Sequence, residues 1–317
     1  MEPAILERER PRIAARDVRH DLDISVIELE ALLALTSEMK REPRRFREAL
    51  AGRYISILFE KPSLRTLMTF ELAIRQLGGD SVVSIGRIGQ REPLADIARN
   101  LDRWTHAIVA RTFAQETIDQ LARWSTVPVV NALSEIYHPC QALADVFTLQ
   151  EHFGKLRGLK LAFVGDGNNV AHSLMLTAVR LGMHFAIATP EGYQPYAEVV
   201  KEAKARAAER GAKLLVTNDA AKAVSGAHAV YTDVWTSMGF EEEAAERRVN
   251  FQPYQVTPEL MEKAHREAVF MHCLPARRGE EVVEEVIESK RSVVFEQAGN
   301  RLHTQKALLA MLIEPDA

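Results

Sequence analysis

The chain has 317 residues, 47 % apolar and 26 % charged, with a formal net charge of −4, which suits a globular protein of about two ordinary domains. So small a charge offers neither nucleic acid nor an anionic membrane a bulk attraction, and no apolar run approaches the roughly 20 residues that span a bilayer. Cys140 and Cys273, the 2 cysteines, stand far apart and in no metal-ligand spacing, so a reducing compartment and no metal are expected. Met1 to Arg19 is charged and lacks an apolar core, and its Arg-rich run is broken by Glu2, Glu7, Glu9 and Asp17. Neither a secretory signal nor a transit peptide is expected there, and the cytoplasm is the expected location.

Strand and helix patterns alternate along the chain, which points to an α/β fold with mainly parallel sheets. Tyr54 to Phe59 reads as a buried strand. Met68 to Leu77 reads as a helix with Phe70, Ile74 and Leu77 on one face and Gly78-Gly79 as its stop. Ser81 to Ile85, Ala107 to Ala110 and Val127 to Asn131 follow as short strands. A long helical pattern from Gln141 to Phe153 then ends, and Leu159 to Val164 begins a new strand, so a boundary is expected near Glu151 to Gly158. The second half offers strands at His184 to Ala188, Lys213 to Thr217, Ala229 to Thr232 and Val269 to His272. Ala203 to Ala208 and Ala220 to Ala223 read as helix-forming surface. Val293-Val294-Phe295 reads as a last strand and Thr304 to Leu312 as the last helix.

Six segments carry candidate chemistry. In Phe59-Glu60-Lys61-Pro62-Ser63-Leu64-Arg65-Thr66 a strand ends and a helix begins at about Ser63. Free N–H groups and the helix dipole make such a terminus an anion site, and Ser63, Arg65 and Thr66 add donors suited to phosphate; alternatively Ser63 is a plain N-cap. His138, fixed before Pro139 at a helix start with Gln141 beside it, can donate to a developing oxyanion or serve as a structural group. Gly165-Asp166-Gly167-Asn168-Asn169-Val170 begins like a dinucleotide fingerprint, with Glu191 where a ribose ligand would stand, but Val170 replaces the third glycine. The two asparagines can instead cap the helix or hold a polar ligand. Asp233 ends a strand, where α/β folds collect ligands, and can pair with an α-ammonium group or close an Asx turn. His272-Cys273-Leu274-Pro275-Ala276 presents a thiol at a proline-fixed turn, and Arg301 can complete an anion clamp.

Taken in order and spacing, these segments resemble the aspartate/ornithine carbamoyltransferase family from about Leu22 to the C-terminus. Phe-Glu-Lys-Pro-Ser-x-Arg-Thr, Arg111 and the His138 segment are similar to its carbamoyl-phosphate half. Gly165 to Asn169, Asp233 to Gly239 and His272 to Ala276 match the motifs of its ornithine branch. The resemblance implies two doubly wound parallel-sheet domains with the active site in the cleft between them. Residues 1–150, completed by a C-terminal helix at about 295–317, would bind carbamoyl phosphate, and residues 151–294 would bind ornithine.

It also implies roles. Ser63, Leu64, Arg65 and Thr66 would hold the phosphate, Leu64 through its backbone N–H, and Arg111 would bridge phosphate and carbonyl. His138 would polarise the carbonyl oxygen and Gln141 would face the carbamoyl amine. Asn169, Asp233, Ser237 and Met238 would bind the amino-acid end of ornithine. Cys273 and Leu274 would line the reacting centre, Cys273 not as a covalent nucleophile, and Arg301 would close the site. The implied reaction gives citrulline and phosphate, within arginine metabolism, and needs no cofactor. A homotrimer or a multiple of it is implied, with the loop around Gly86 to Leu94 reaching a neighbour's site. Leu64 and Leu67 stand where the family usually has threonine and arginine. Carbamoylation of another amine, a nucleotide-dependent oxidoreductase and a non-catalytic ligand-binding relative are the alternatives.

Overall fold

Runs of β-branched and aliphatic residues alternate with helices, and the computed structural model, which describes residues 10–236 and 241–314, arranges them as two parallel sheets. The chain divides into two compact units. One takes residues through Glu135 together with those from Arg301 onward, and the other is Ile136–Asn300.

The first unit contains α1 (Val26–Arg41), β1 (Tyr54–Phe59), α2 (Leu64–Gln76), β2 (Asp80–Ile85), α3 (Leu94–Trp104), β3 (Ala107–Arg111), α4 (Gln115–Trp124) and β4 (Val129–Leu133). Ser25 starts α1 with a capping box: its hydroxyl accepts from the Glu28 N–H, and the Glu28 carboxylate accepts from the Ser25 N–H at 2.7 Å. Phe70, Ile74 and Leu77 are fully buried, as the helical spacing required. The sheet runs β2-β1-β3-β4. Phe59 registers with Ile85 on one side and with Arg111 on the other, so the loops leaving β1, β2 and β3 start level. The strand order reverses between β1 and β3, and open α/β sheets bind ligands beyond the carboxyl ends at such a switch.

The second unit contains α5 (Pro139–Phe153), β5 (Lys160–Val164), α6 (Asn169–Arg180), β6 (His184–Ala188), α7 (Ala197–Arg210), β7 (Leu214–Thr217), α8 (Ala220–Val224), β8 (Ala229–Thr232), α9 (Ala244–Phe251), α10 (Pro258–Met261), β9 (Val269–His272) and α11 (Glu284–Ile287). A last helix, α12 (Val294–Leu312), begins here, and its residues from Arg301 on count with the first unit. The sheet runs β7-β6-β5-β8-β9. Its switch lies between β5 and β8, and Thr232 registers with His272. The turn after β5, Asp233 and Cys273 therefore gather at one end of the sheet.

Two expectations change. Val294 and Phe295 are the first residues of α12 and not a strand: the apolar run mimics a strand, while Gln297, Asn300, Arg301 and Thr304, all buried, recur at helical spacing. Only Val293 keeps an extended-chain link, its N–H donating to the Phe270 carbonyl. Ala203 and Ala223 lie in helices α7 and α8 as expected, but both are fully buried and not surface. By packing, α5 groups with the second unit, which begins at Ile136; it is buried along most of its length and packs on α6. Among the described residues no helix is long and apolar enough to cross a membrane.

Candidate functional site

In the first unit, α2 starts at Leu64 with Ser63 as an extended N-cap, and among the described residues the Ser63 side chain makes no capping hydrogen bond. The plain-cap alternative therefore loses its basis, and the terminus keeps the polarity that attracts anions. Thr66 is buried on the first turn, and its hydroxyl accepts from Arg301 Nη2 at 2.9 Å. This contact joins two expected residues 235 positions apart. Arg111 ends β3, is 7 % exposed, and follows a register shift between Ala110 and Arg111. Its carbonyl accepts the Glu60 N–H at 2.9 Å. Leu64 is exposed and Arg65 half-buried.

Glu60 was not among the expected residues. Its carboxylate accepts the Phe113 N–H at 2.7 Å and the Ile88 N–H at 3.2 Å. It thereby braces the phosphate-loop candidate against the loops after β2 and β3. Lys61 and Arg87 lie on the Phe113 ring, 4.0 and 3.9 Å from its centroid.

In the second unit, His138 is the N-cap of α5, 4 % exposed, with Pro139 opening the helix and the His138 N–H donating to Ser173 Oγ at 2.9 Å. One turn on, Gln141 is buried and donates from Nε2 to Asp145 at 2.8 Å. In the turn after β5, Asn168 Oδ1 accepts from the Val170 and Ala171 N–H groups and so caps α6. Asn168 Nδ2 donates to Asp233 Oδ2 at 2.8 Å, and the Cys273 thiol donates to Asp233 Oδ1 at 3.0 Å. Asp233 is 7 % exposed, so these donors hold a buried carboxylate in one orientation. Asn169, half-buried, stands on the first turn of α6. Ser237 and Met238 lie outside the described residues.

The dinucleotide alternative has a direct answer in this turn. A side chain on Gly167 would collide with backbone atoms of Gln194 and Pro195, so that glycine admits the protein's own chain where a fingerprint would admit pyrophosphate. The helix N-terminus that would meet a phosphate is capped by Asn168.

A buried ion pair and a buried histidine–glutamate hydrogen bond lie near these residues, and neither was evident in the sequence. Arg247 Nη1 bonds Asp166 at 2.8 Å and the Trp235 carbonyl at 2.9 Å, and its Nε bonds Glu243 at 2.8 Å. Burial pushes the Asp166 carboxyl up from 3.8 to about 6; Arg247 opposes the rise, and the carboxylates of Asp233 and Glu243 add to it. Behind Cys273, His272 Nε2 lies 3.1 Å from Glu281, while His272 Nδ1 accepts the Leu274 N–H at 2.8 Å. The proton is thus on Nε2. The Leu274 backbone sits in the left-handed region at φ 57°, and this bond from its N–H helps to pay that cost. Asp233, His272 and Cys273 bring possible metal-binding atoms within 4.8 Å of one another, but both ring nitrogens and the thiol already bond within the protein.

Comparison with known proteins gives concordant matches. The profile described as "Aspartate/ornithine carbamoyltransferase, carbamoyl-P binding domain" matches residues 16–151, and "Aspartate/ornithine carbamoyltransferase, Asp/Orn binding domain" matches residues 157–312. An ornithine carbamoyltransferase of Anoxybacillus flavithermus is 51 % identical over 296 residues, 92 % of this chain and 94 % of that protein. The solved structure of ornithine carbamoyltransferase from Pyrococcus furiosus superposes with a TM-score of 0.92 at 44 % identity, covering 95 % of this chain and 98 % of that one. A structure titled acetylornithine transcarbamylase complexed with acetylcitrulline superposes at 0.84 with 32 % identity, covering 93 % and 98 %.

Proposed function

The chain belongs to the aspartate/ornithine carbamoyltransferase family, and from that premise we infer that it transfers the carbamoyl group of carbamoyl phosphate to the δ-amine of L-ornithine, giving L-citrulline and phosphate. The observation that carries the choice of amine is Asp233, a buried carboxylate oriented by Asn168 and Cys273. A buried, fixed anion suits the α-ammonium of a free amino acid, whereas an acetylated α-nitrogen carries no charge to pair with it.

The reaction sets two physical problems. The δ-amine resembles that of lysine, with a solution pKa of about 10.4, so its nucleophilic neutral form is scarce at neutral pH. Removal from water favours that form. Attack then makes the carbamoyl carbon tetrahedral and places growing charge on its oxygen. We assign Arg111, His138 and Thr66 as donors to that oxygen, stronger partners for the transition state than for the ground state. Ser63, the Leu64 N–H, Arg65 and Thr66 hold the phosphate, with Arg301 beside Thr66. Gln141 meets the carbamoyl amine, and Leu274 lines the carbamoyl group. Asn169, Ser237 and Met238 join Asp233 at the amino-acid end. Cys273 stands by the δ-amine as a thiol, in keeping with its S–H donating to the Asp233 carboxylate. Residues 1–150 with the final helix, about 295–317, serve carbamoyl phosphate, and residues 151–294 serve ornithine.

The assembly we assign is a homotrimer or a multiple of it. Leu64, Met68 and Leu72 form an exposed apolar stripe on α2, 72, 49 and 41 % accessible, and the edge strand β2 exposes Val82 and Ile85. A stripe of that kind beside an open sheet edge favours burial by another copy. We place the protein in the cytoplasm, in keeping with its two cysteines, Cys140 and Cys273, which no disulfide joins.

Carbamoylation assays with ornithine, acetylornithine, putrescine and aspartate in parallel test the assignment. Turnover confined to ornithine is the expected result. Preference for acetylornithine or aspartate overturns the role of Asp233, and binding of carbamoyl phosphate without turnover of any amine overturns the enzyme.

A further inference from the structure

Asp145 lies one helical turn after Gln141 on α5 and is fully buried. Its carboxylate is a meeting point. Gln141 Nε2 donates to Oδ1 at 2.8 Å and Gln297 Nε2 donates to the same oxygen at 2.7 Å. The buried Tyr231 hydroxyl stands beside this group and accepts from Gln297 Nε2 at 3.1 Å; burial first, and then the Asp145 charge, hold its pKa well above the ordinary tyrosine value. Two amide donors converge on one buried oxygen.

Each primary amide has one donor edge and one acceptor edge, whereas a carboxylate can only accept. Asp145 therefore decides which way both amides face. For Gln297 the consequence is visible: with Nε2 on Asp145, its Oε1 accepts the His272 N–H at 3.0 Å, fixing the strand end that leads into Cys273 and Leu274. The same logic applies to Gln141, whose NH2 edge is taken up by Asp145 and whose other edge is its carbonyl oxygen.

We infer that Asp145 is a positioning residue that sets specificity for the carbamoyl group, by turning the Gln141 amide so that its carbonyl oxygen accepts from the carbamoyl NH2. This rests on the proposed encounter of Gln141 with that amine. A carbamoyl group differs from an acetyl group at this position by a donor NH2 in place of a methyl. An acceptor fixed there rewards the first and gains nothing from the second, and Gln141 with its amide reversed would oppose one NH2 to another.

The test compares the dissociation constants of carbamoyl phosphate and acetyl phosphate, measured by calorimetry on the full-length enzyme without ornithine. Asp145→Asn, Gln141→Leu and the double variant are examined beside the unaltered protein. The unaltered protein prefers carbamoyl phosphate. Loss of a buried hydrogen bond of this kind predicts that Gln141→Leu shrinks the preference about tenfold. Asp145→Asn shrinks it comparably and adds nothing in the Gln141→Leu background, because it acts through Gln141. If Gln141→Leu leaves the preference intact, the proposed role of Gln141 is wrong. If Gln141→Leu removes it while Asp145→Asn weakens both phosphates equally, Asp145 only supports the fold and the inference fails. Should Asp145→Asn not fold, Gln141→Glu decides: its carboxyl can share a proton with Asp145 and still present a bare oxygen, so the preference survives. Its collapse in that variant overturns the inference.

Discussion

Replacing Arg247 by methionine keeps much of the side-chain volume and removes a charge whose side chain is only 6 % exposed. It strips Asp166, itself 12 % exposed at the side chain, of its partner and leaves the Trp235 carbonyl without the Arg247 bond. Asp166 already titrates at about 6 and not at 3.8. A carboxyl whose folded pKa is raised contributes fully below its unfolded pKa, and that contribution disappears as pH rises through the folded value. The difference corresponds to about 3 kcal/mol by pH 8. Without Arg247 the folded pKa rises further and the loss deepens. Removing one partner of a buried ion pair costs about 3–5 kcal/mol when the other is ionised. At pH 5 Asp166 is mostly protonated and its ion pair with Arg247 is already gone, so the Asp166 side of the loss shrinks to a hydrogen bond, about 1–2 kcal/mol. The bond to the half-exposed Glu243 carboxylate is lost at both pH values. Urea unfolding followed by circular dichroism at pH 5 and pH 8 gives both values. Arg247→Met should therefore be more damaging at pH 8 by about 2 kcal/mol or more, and adding Asp166→Asn should abolish the difference. Equal destabilisation at the two pH values refutes the coupling.

Two further outcomes follow from particular contacts. Gly167→Ala forces a methyl group into the backbone of Gln194 and Pro195, and overpacking against main chain should cost about 3 kcal/mol in thermal or urea unfolding; a change below about 0.5 kcal/mol would show that the Gln194-Pro195 loop yields freely. His172 accepts the Tyr196 N–H on Nε2, bonds the Ile136 carbonyl through Nδ1, and is lowered from 6.5 to about 4, chiefly by burial with the Ile136 bond opposing. Its contribution is present above pH 6.5 and is lost as pH falls through 4, about 3 kcal/mol in all, so His172→Gln should flatten stability between pH 7 and pH 4, and an unchanged slope would exclude His172 as its source.

The sheets were legible because short buried strands write themselves as local apolar runs: β6, β8 and β9 lie where those runs were read. The same rule misled at Val293-Val294-Phe295, where an apolar triplet opens a helix whose identity shows only in the buried polar residues that follow. The phosphate-loop and ornithine-end candidates were legible as a family pattern, but their supports were not. Gln297 and Asp145 are 152 positions apart and Arg247 and Asp166 are 81 apart, so no local window could pair them. Asn168 was readable, since asparagine before a helix is a ready cap. Choosing between cap and ligand needed the geometry, which gives Asn168 the cap and leaves Asn169 on the first turn.

The central claim is that the phosphate-loop and Asp233 residues serve one reaction complex, and a single molecule tests it: ornithine carrying a phosphonoacetyl group on its δ-nitrogen, which joins the features of both substrates. By calorimetry it should bind one per chain and far more tightly than either substrate, with Arg65→Ala and Asp233→Asn each weakening it by a factor of ten or more, as expected for losing charged partners. Binding that falls with Arg65→Ala but is indifferent to Asp233→Asn would contradict the account, because the amino-acid end would then be held elsewhere.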